Sequence, residues 1–224
     1  MHIGLIGGIG PAATNYYHLR LIASYAGDPD ALELTIAHTN SPTLLRNLDR
    51  DDVTAQVAIY QRLTQRLADA GADFVAVTSI AGHFCIGPFK QVSPLPVIDL
   101  IDEVDRNLAG RAMKRVGILG TRRVMETGMY GLIGAVELVP PQGDVLEAVH
   151  QAYVDMAAAG AVTDAQVAVF DRACASMIEE QGVEAIMLGG TDLALVYNSE
   201  TPTFPIVDCA AIHADAIAAR SKSP

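Results

Sequence analysis

Residues 2–11 read HIGLIGGIGP and residues 115–123 read RVGILGTRR. Each is a short aliphatic run that ends in a glycine turn. In the first, Pro11 stands where a helix would begin, a position where the missing N–H of proline costs no hydrogen bond. This is the outline of a parallel strand feeding a helix, and it is used twice: Gly4-Leu5-Ile6-Gly7 returns as Gly117-Ile118-Leu119-Gly120. Further out, residues 74–78, preceded by Ala70-Gly71-Ala72-Asp73, return as residues 185–188, preceded by Gln181-Gly182-Val183-Glu184, so that Ser79 corresponds to Gly190. Leu95-Pro96-Val97-Ile98-Asp99 returns as Phe204-Pro205-Ile206-Val207-Asp208. Three repeats in one order, about 110 residues apart, predict two pseudo-symmetric α/β lobes rather than one continuous sheet.

The rest of the chain fits that plan. Strands are expected at residues 2–6, 34–38, 74–78, 97–98, 116–119, 136–139, 185–188 and 206–207, with amphipathic helices between them, the alternation of mainly parallel sheets flanked by helices. Residues 52–70 space Val53, Val57, Tyr60, Leu63, Leu67 and Ala70 by three and four, with Gln, Arg and Asp opposite, and stop at Gly71. The expected lobes are residues 1–100, with 209–224 returning to pack on them, and residues 101–208. Ligands of such sheets bind beyond the carboxyl ends of the strands, so a cleft between the lobes is expected there.

Composition narrows the function. Of 224 residues, 15 are Lys or Arg and 26 are Asp or Glu, a formal net charge of −11. A basic face for a nucleic-acid backbone is hard to assemble from that stock. No apolar run approaches the ~20 residues that cross a bilayer, and the first residues lack a basic signal-like region, so a cytoplasmic protein is expected. Cys85, Cys174 and Cys209 are odd in number, widely spaced and without a CxxC pair, which fits a reducing compartment and argues against a disulfide framework or structural zinc. The Gly8-Ile9-Gly10-Pro11-Ala12-Ala13 turn formally matches a dinucleotide fingerprint, but residues 34–38 run into Thr39-Asn40 with no acid to hold a ribose. The turn reads better as a set of backbone N–H groups suited to a carboxylate.

Taken in order, residues 4–11, Thr39-Asn40-Ser41-Pro42, Arg46, residues 72–83, residues 121–130, Leu188-Gly189-Gly190-Thr191-Asp192-Leu193 and residues 205–208 resemble the aspartate/glutamate racemase family over nearly the whole chain. The resemblance implies two similar α/β lobes with the active site between them, a reaction without pyridoxal phosphate or metal, and a homodimer. It also implies two cysteines, one per lobe, that exchange the α-proton of the substrate from opposite faces.

Neither cysteine position is cysteine here. The first family motif, commonly CNTAH, reads Ser79-Ile80-Ala81-Gly82-His83; the second, commonly GCTE, reads Gly189-Gly190-Thr191-Asp192. A thiol ionises near pH 8.5 and can be tuned toward neutrality, a serine hydroxyl needs a base, and glycine has nothing to ionise. A two-thiol mechanism is thereby excluded if these positions correspond. His83 is the first candidate for a base, with capping a helix or orienting Ser79 as its alternative role, and Asp192 is the second. Cys85 and Cys209 are expected to pack rather than react, and Cys174 to lie in the core.

By the resemblance, Gly8, Asn40, Arg46, Ile80, Ala81, Thr121 and Thr191 contact the substrate. Arg46 would meet a side-chain carboxylate, with Arg122 or Arg123 as a second cation, and a net negative protein needs such local cations to hold a dicarboxylate. The family lysine of the second lobe is replaced within Met156-Ala157-Ala158-Ala159-Gly160. The expectation is a cofactor-independent amino-acid racemase or related isomerase, acting on a small amino or dicarboxylic acid. The alternative is a noncatalytic binding homologue that has lost the thiols, and other superfamily reactions, such as maleate isomerisation or malonate decarboxylation, form a third class.

Overall fold

The computed structural model describes residues 1–197 and 203–223. Among the described residues there are two four-stranded sheets, ordered β2-β1-β3-β4 and β6-β5-β7-β8, with every strand pair parallel. The strands are β1 (Ile3–Gly7), β2 (Leu34–His38), β3 (Phe74–Val77), β4 (Val97–Ile98), β5 (Arg115–Gly120), β6 (Glu137–Val139), β7 (Ala185–Gly189) and β8 (Ile206–Asp208). All eight lie where the hydrophobic runs predict them, with ends shifted by a residue or so, the usual scatter where strands fray into turns. β1, β3 and β7 are buried at every position, as a strand covered on both faces must be.

The chain divides into two compact units, one formed by Met1–Leu100 with Ala210–Pro224, the other by Ile101–Cys209. In the first, α1 (Pro11–Ser24) and α9 (Cys209–Lys222) cover one side of the sheet: Tyr17 and Leu21 meet Ile3, Leu5 and Phe74, joined by Ala210, Ala214, Ile217 and Ala218. α3 (Val53–Asp69) covers the other side through Tyr60, Leu63 and Leu67. Asp52 caps α3 by accepting from Ala55 N at 2.9 Å. α3 departs from its expected pattern in two places. Ala70 is exposed, and Gln56, assigned by pattern to the outer face, is completely buried. Gln56 is drawn in because Asn47 of α2 (Ser41–Asp49) donates to its Oε1 at 2.9 Å, which offsets part of the cost of taking an amide out of water.

In the second unit, α7 (Asp144–Ala159) and α8 (Asp164–Glu179) pack side by side, placing Val149, Tyr153, Met156, Phe170, Cys174 and Met177 in one cluster with Ile186 and Leu188. Thr163 and Gln166 close a reciprocal capping box at the start of α8. No helix among the described residues is long and apolar enough to cross a membrane.

Candidate functional site

Strand register brings the candidate residues to the carboxyl ends of each sheet. In the first unit β1 ends opposite β2 at Gly7 and His38 and opposite β3 at Ile6 and Val77, so the turn after Gly7, the Thr39-Asn40 step and the Thr78-Ser79 step are neighbours. Gly8 has φ +84, a left-handed conformation natural to glycine, and a Cβ there would strike the His38 ring. Its N–H is not aimed outward: it donates to Thr14 Oγ1 at 2.8 Å, closing the turn against the first helical residues. Asn40, an exposed residue, caps α2, its Oδ1 accepting from Thr43 N at 2.9 Å, and its Nδ2 amide is a donor. Arg46 is exposed on α2 and donates to Thr43 Oγ1 at 3.1 Å.

Ser79 is buried, and its Oγ accepts from Gly82 N at 3.2 Å. Ile80, fully buried, and Ala81, half-buried, lead into the 3-10 turn Ala81–Cys85. His83 is the middle residue of this turn and is buried. Its Nδ1 is 2.6 Å from Ser79 O, and a carbonyl only accepts, so Nδ1 carries the proton. Nε2 then accepts from Leu100 N at 3.4 Å. Both ring nitrogens are thus engaged by main chain, which ties Ser79 O to the Leu100 N–H through the ring. His213 of α9 lies 6.1 Å from it, centroid to centroid, edge to face. Its Nε2 donates to Ile98 O at 3.0 Å and its Nδ1 accepts from Tyr17 at 2.8 Å. Burial and then His83 lower the pKa of His213 to about 3, so this ring is also neutral.

In the second unit, β5 and β7 end together at Gly120 and Gly189. Thr121 follows, buried, and caps α6 (Arg122–Thr127) through Val124 N at 3.4 Å. Arg122 is paired with Glu147, so it is not a free cation for a substrate. Thr191 is 4% exposed and its Oγ1 has no hydrogen-bond partner among the described residues. Asp192 is buried beside it and accepts from the Tyr153 hydroxyl at 3.2 Å. Tyr153 is the residue that sequence reasoning missed. It reaches the end of β7 from α7, and a Cβ built on Gly190 would clash with its ring, 2.2 Å from Cε2 and 2.6 Å from the hydroxyl oxygen. The signal was indirect: a glycine at a buried strand end leaves volume that a large residue from elsewhere must fill.

Cys85, Cys174 and Cys209 are fully buried. Burial pushes the first two up to about 12 and about 11, and also raises Cys209, so none is a ready thiolate. A cleft of about 450 Å³ beside α8, lined by Asp171, Tyr197 and Phe204 among others, contains none of the predicted site residues. A smaller one of about 310 Å³ lies outside the first glycine turn, between Gly8, Asn15, His18 and His38. Among the described residues no group of three His, Cys, Asp or Glu side chains could hold a metal ion.

A profile of the Asp/Glu/hydantoin racemase family matches residues 6–217. Among solved structures, a candidate Asp/Glu racemase from Yersinia pestis superimposes with a TM-score of 0.85 at 23% identity, over 100% of both chains. An aspartate racemase homologue from Pyrococcus horikoshii gives 0.80 at 22% identity, over 99% of each chain. The aspartate racemase of Picrophilus torridus gives 0.75 at 19%, over 99% of this chain and 94% of its own. At such identities these three establish the shared fold, and the profile establishes the family.

Proposed function

Because the chain belongs to the Asp/Glu/hydantoin racemase family, we propose that it is an amino-acid racemase or closely related isomerase that moves the α-proton of a small amino or dicarboxylic acid. The observation that carries this reading is Thr191. A hydroxyl buried to 4% exposure with no partner among the described residues costs stability unless something polar completes it, and it sits at the end of β7 next to the Tyr153–Asp192 pair. A substrate carboxylate or amino group is the partner that fits. Asn40, through its amide, and Arg46, whose side chain donates to Thr43 Oγ1, supply donors for a carboxylate in the first unit.

In this reading Ser79 donates to the substrate, its oxygen already steadied by Gly82 N. His83 positions the Ser79 loop, and Asp192 is the basic group of the second unit. From the family the reading carries over a reaction without pyridoxal phosphate or metal, a cytoplasmic setting and a homodimer. Thermal melting of the whole protein with aspartate, glutamate and related acids tests it. A ligand that binds only the native state raises the midpoint by mass action, and Thr191→Val is expected to abolish the rise while leaving the ligand-free midpoint unchanged or higher. An equal rise in the variant would remove Thr191 from the site.

A further inference from the structure

Gly190 lacks a side chain, yet the space for one is filled. The Tyr153 hydroxyl lies 2.6 Å from where the Cβ of residue 190 would stand, and it donates to Asp192 Oδ2 at 3.2 Å. Tyr153 and Asp192 are 7% and 5% exposed, so a phenol backed by a carboxylate occupies the spot from which a side chain on residue 190 would act. We propose that Tyr153 is the proton carrier of the second unit and that Asp192 exchanges protons with it. The proposal rests on the α-proton-transfer reading above and supplies the group that glycine cannot.

The step balances without a further reactant. The Cα–H bond of the bound acid breaks and its proton passes to Tyr153 Oη. As it does so, the phenolic proton passes to Asp192 Oδ2, and the C–H electron pair stays on the substrate, spread into its carboxylate as an enediolate. Asp192 becomes a carboxylic acid, Tyr153 remains a neutral phenol, and the reverse relay returns a proton to the α-carbon. A relay suits this phenol because burial first, and then Asp192, raises its pKa well above the ordinary value, so a standing phenolate is disfavoured while simultaneous gain and loss of a proton is not.

Deuterium wash-in at Cα, followed by NMR in D2O on a panel of D- and L-amino and dicarboxylic acids, tests the proposal with wild type, Tyr153→Phe and Asp192→Asn, each also melted. The expected result is exchange by wild type, a loss of about 10²–10⁴-fold in kcat for Tyr153→Phe with KM and melting little changed, and a comparable loss for Asp192→Asn. Wild-type exchange with Tyr153→Phe near the same rate overturns the role of Tyr153 and leaves the α-proton reading standing. No exchange by wild type on any acid overturns both.

Discussion

At Gly190 the backbone is in an ordinary extended conformation, φ −145° and ψ 128°, so a larger residue would meet no backbone strain. What excludes a side chain is the Tyr153 ring. Gly190→Ala should therefore lower stability through overpacking alone, by about 1–3 kcal/mol. Denaturant unfolding of the variant checks this, and an unchanged midpoint would mean that the ring yields easily. That residue 190 is a glycine is legible in sequence, but what fills its space is not, because Tyr153 comes from a different helix and lies far away in the chain. His83 illustrates the same limit. Its presence four residues after Ser79 is plain in sequence, but whether its nitrogens face a hydroxyl or the main chain depends on Leu100 and Ser79 O, which only the fold brings to it.

Among the elements, the strands were read most securely, since parallel strands covered on both faces are continuous apolar runs bounded by glycine and proline. Helix faces were read less well: the spacing in α3 identified Tyr60, Leu63 and Leu67, but it could not anticipate that Asn47 would draw Gln56 inside. α9 is the element whose docking depends most on protonation. Its His213 is wedged between Tyr17 of α1 and Ile98 of β4, and its pKa falls from 6.5 to about 3 on folding. Between those values the unfolded chain binds a proton that the folded chain refuses, so the contribution of this ring is full above pH 6.5 and is lost as pH falls toward 3. Melting midpoints measured across that window should fall with acid, and His213→Gln, which keeps a donor and an acceptor, should flatten the decline. Parallel curves for the two proteins would locate the acid sensitivity elsewhere.

For the whole molecule, a net charge of −11 repels the dicarboxylates that the family suggests, which makes local donors decisive. Arg122 is paired with Glu147, and under the proposed reading the donors for a carboxylate are Arg46 and Asn40 in the first unit and Thr191 in the second. The internal repeat made the doubled α/β plan readable, and the same repeat marks where the two halves have diverged: Ser79 with a main-chain-bound His83 in one, Gly190 with Tyr153 and Asp192 in the other. With Tyr153 as the one proposed proton carrier, exchange at Cα is expected to outrun inversion. The most direct measurement is the fate of the α-hydrogen when the purified protein is incubated in D2O with single enantiomers of candidate amino acids, read by NMR for deuterium and by chiral chromatography for configuration. On the α-proton-transfer reading, deuterium enters Cα of at least one acid, faster than configuration is inverted. Retention of the α-hydrogen in every acid tested would contradict it.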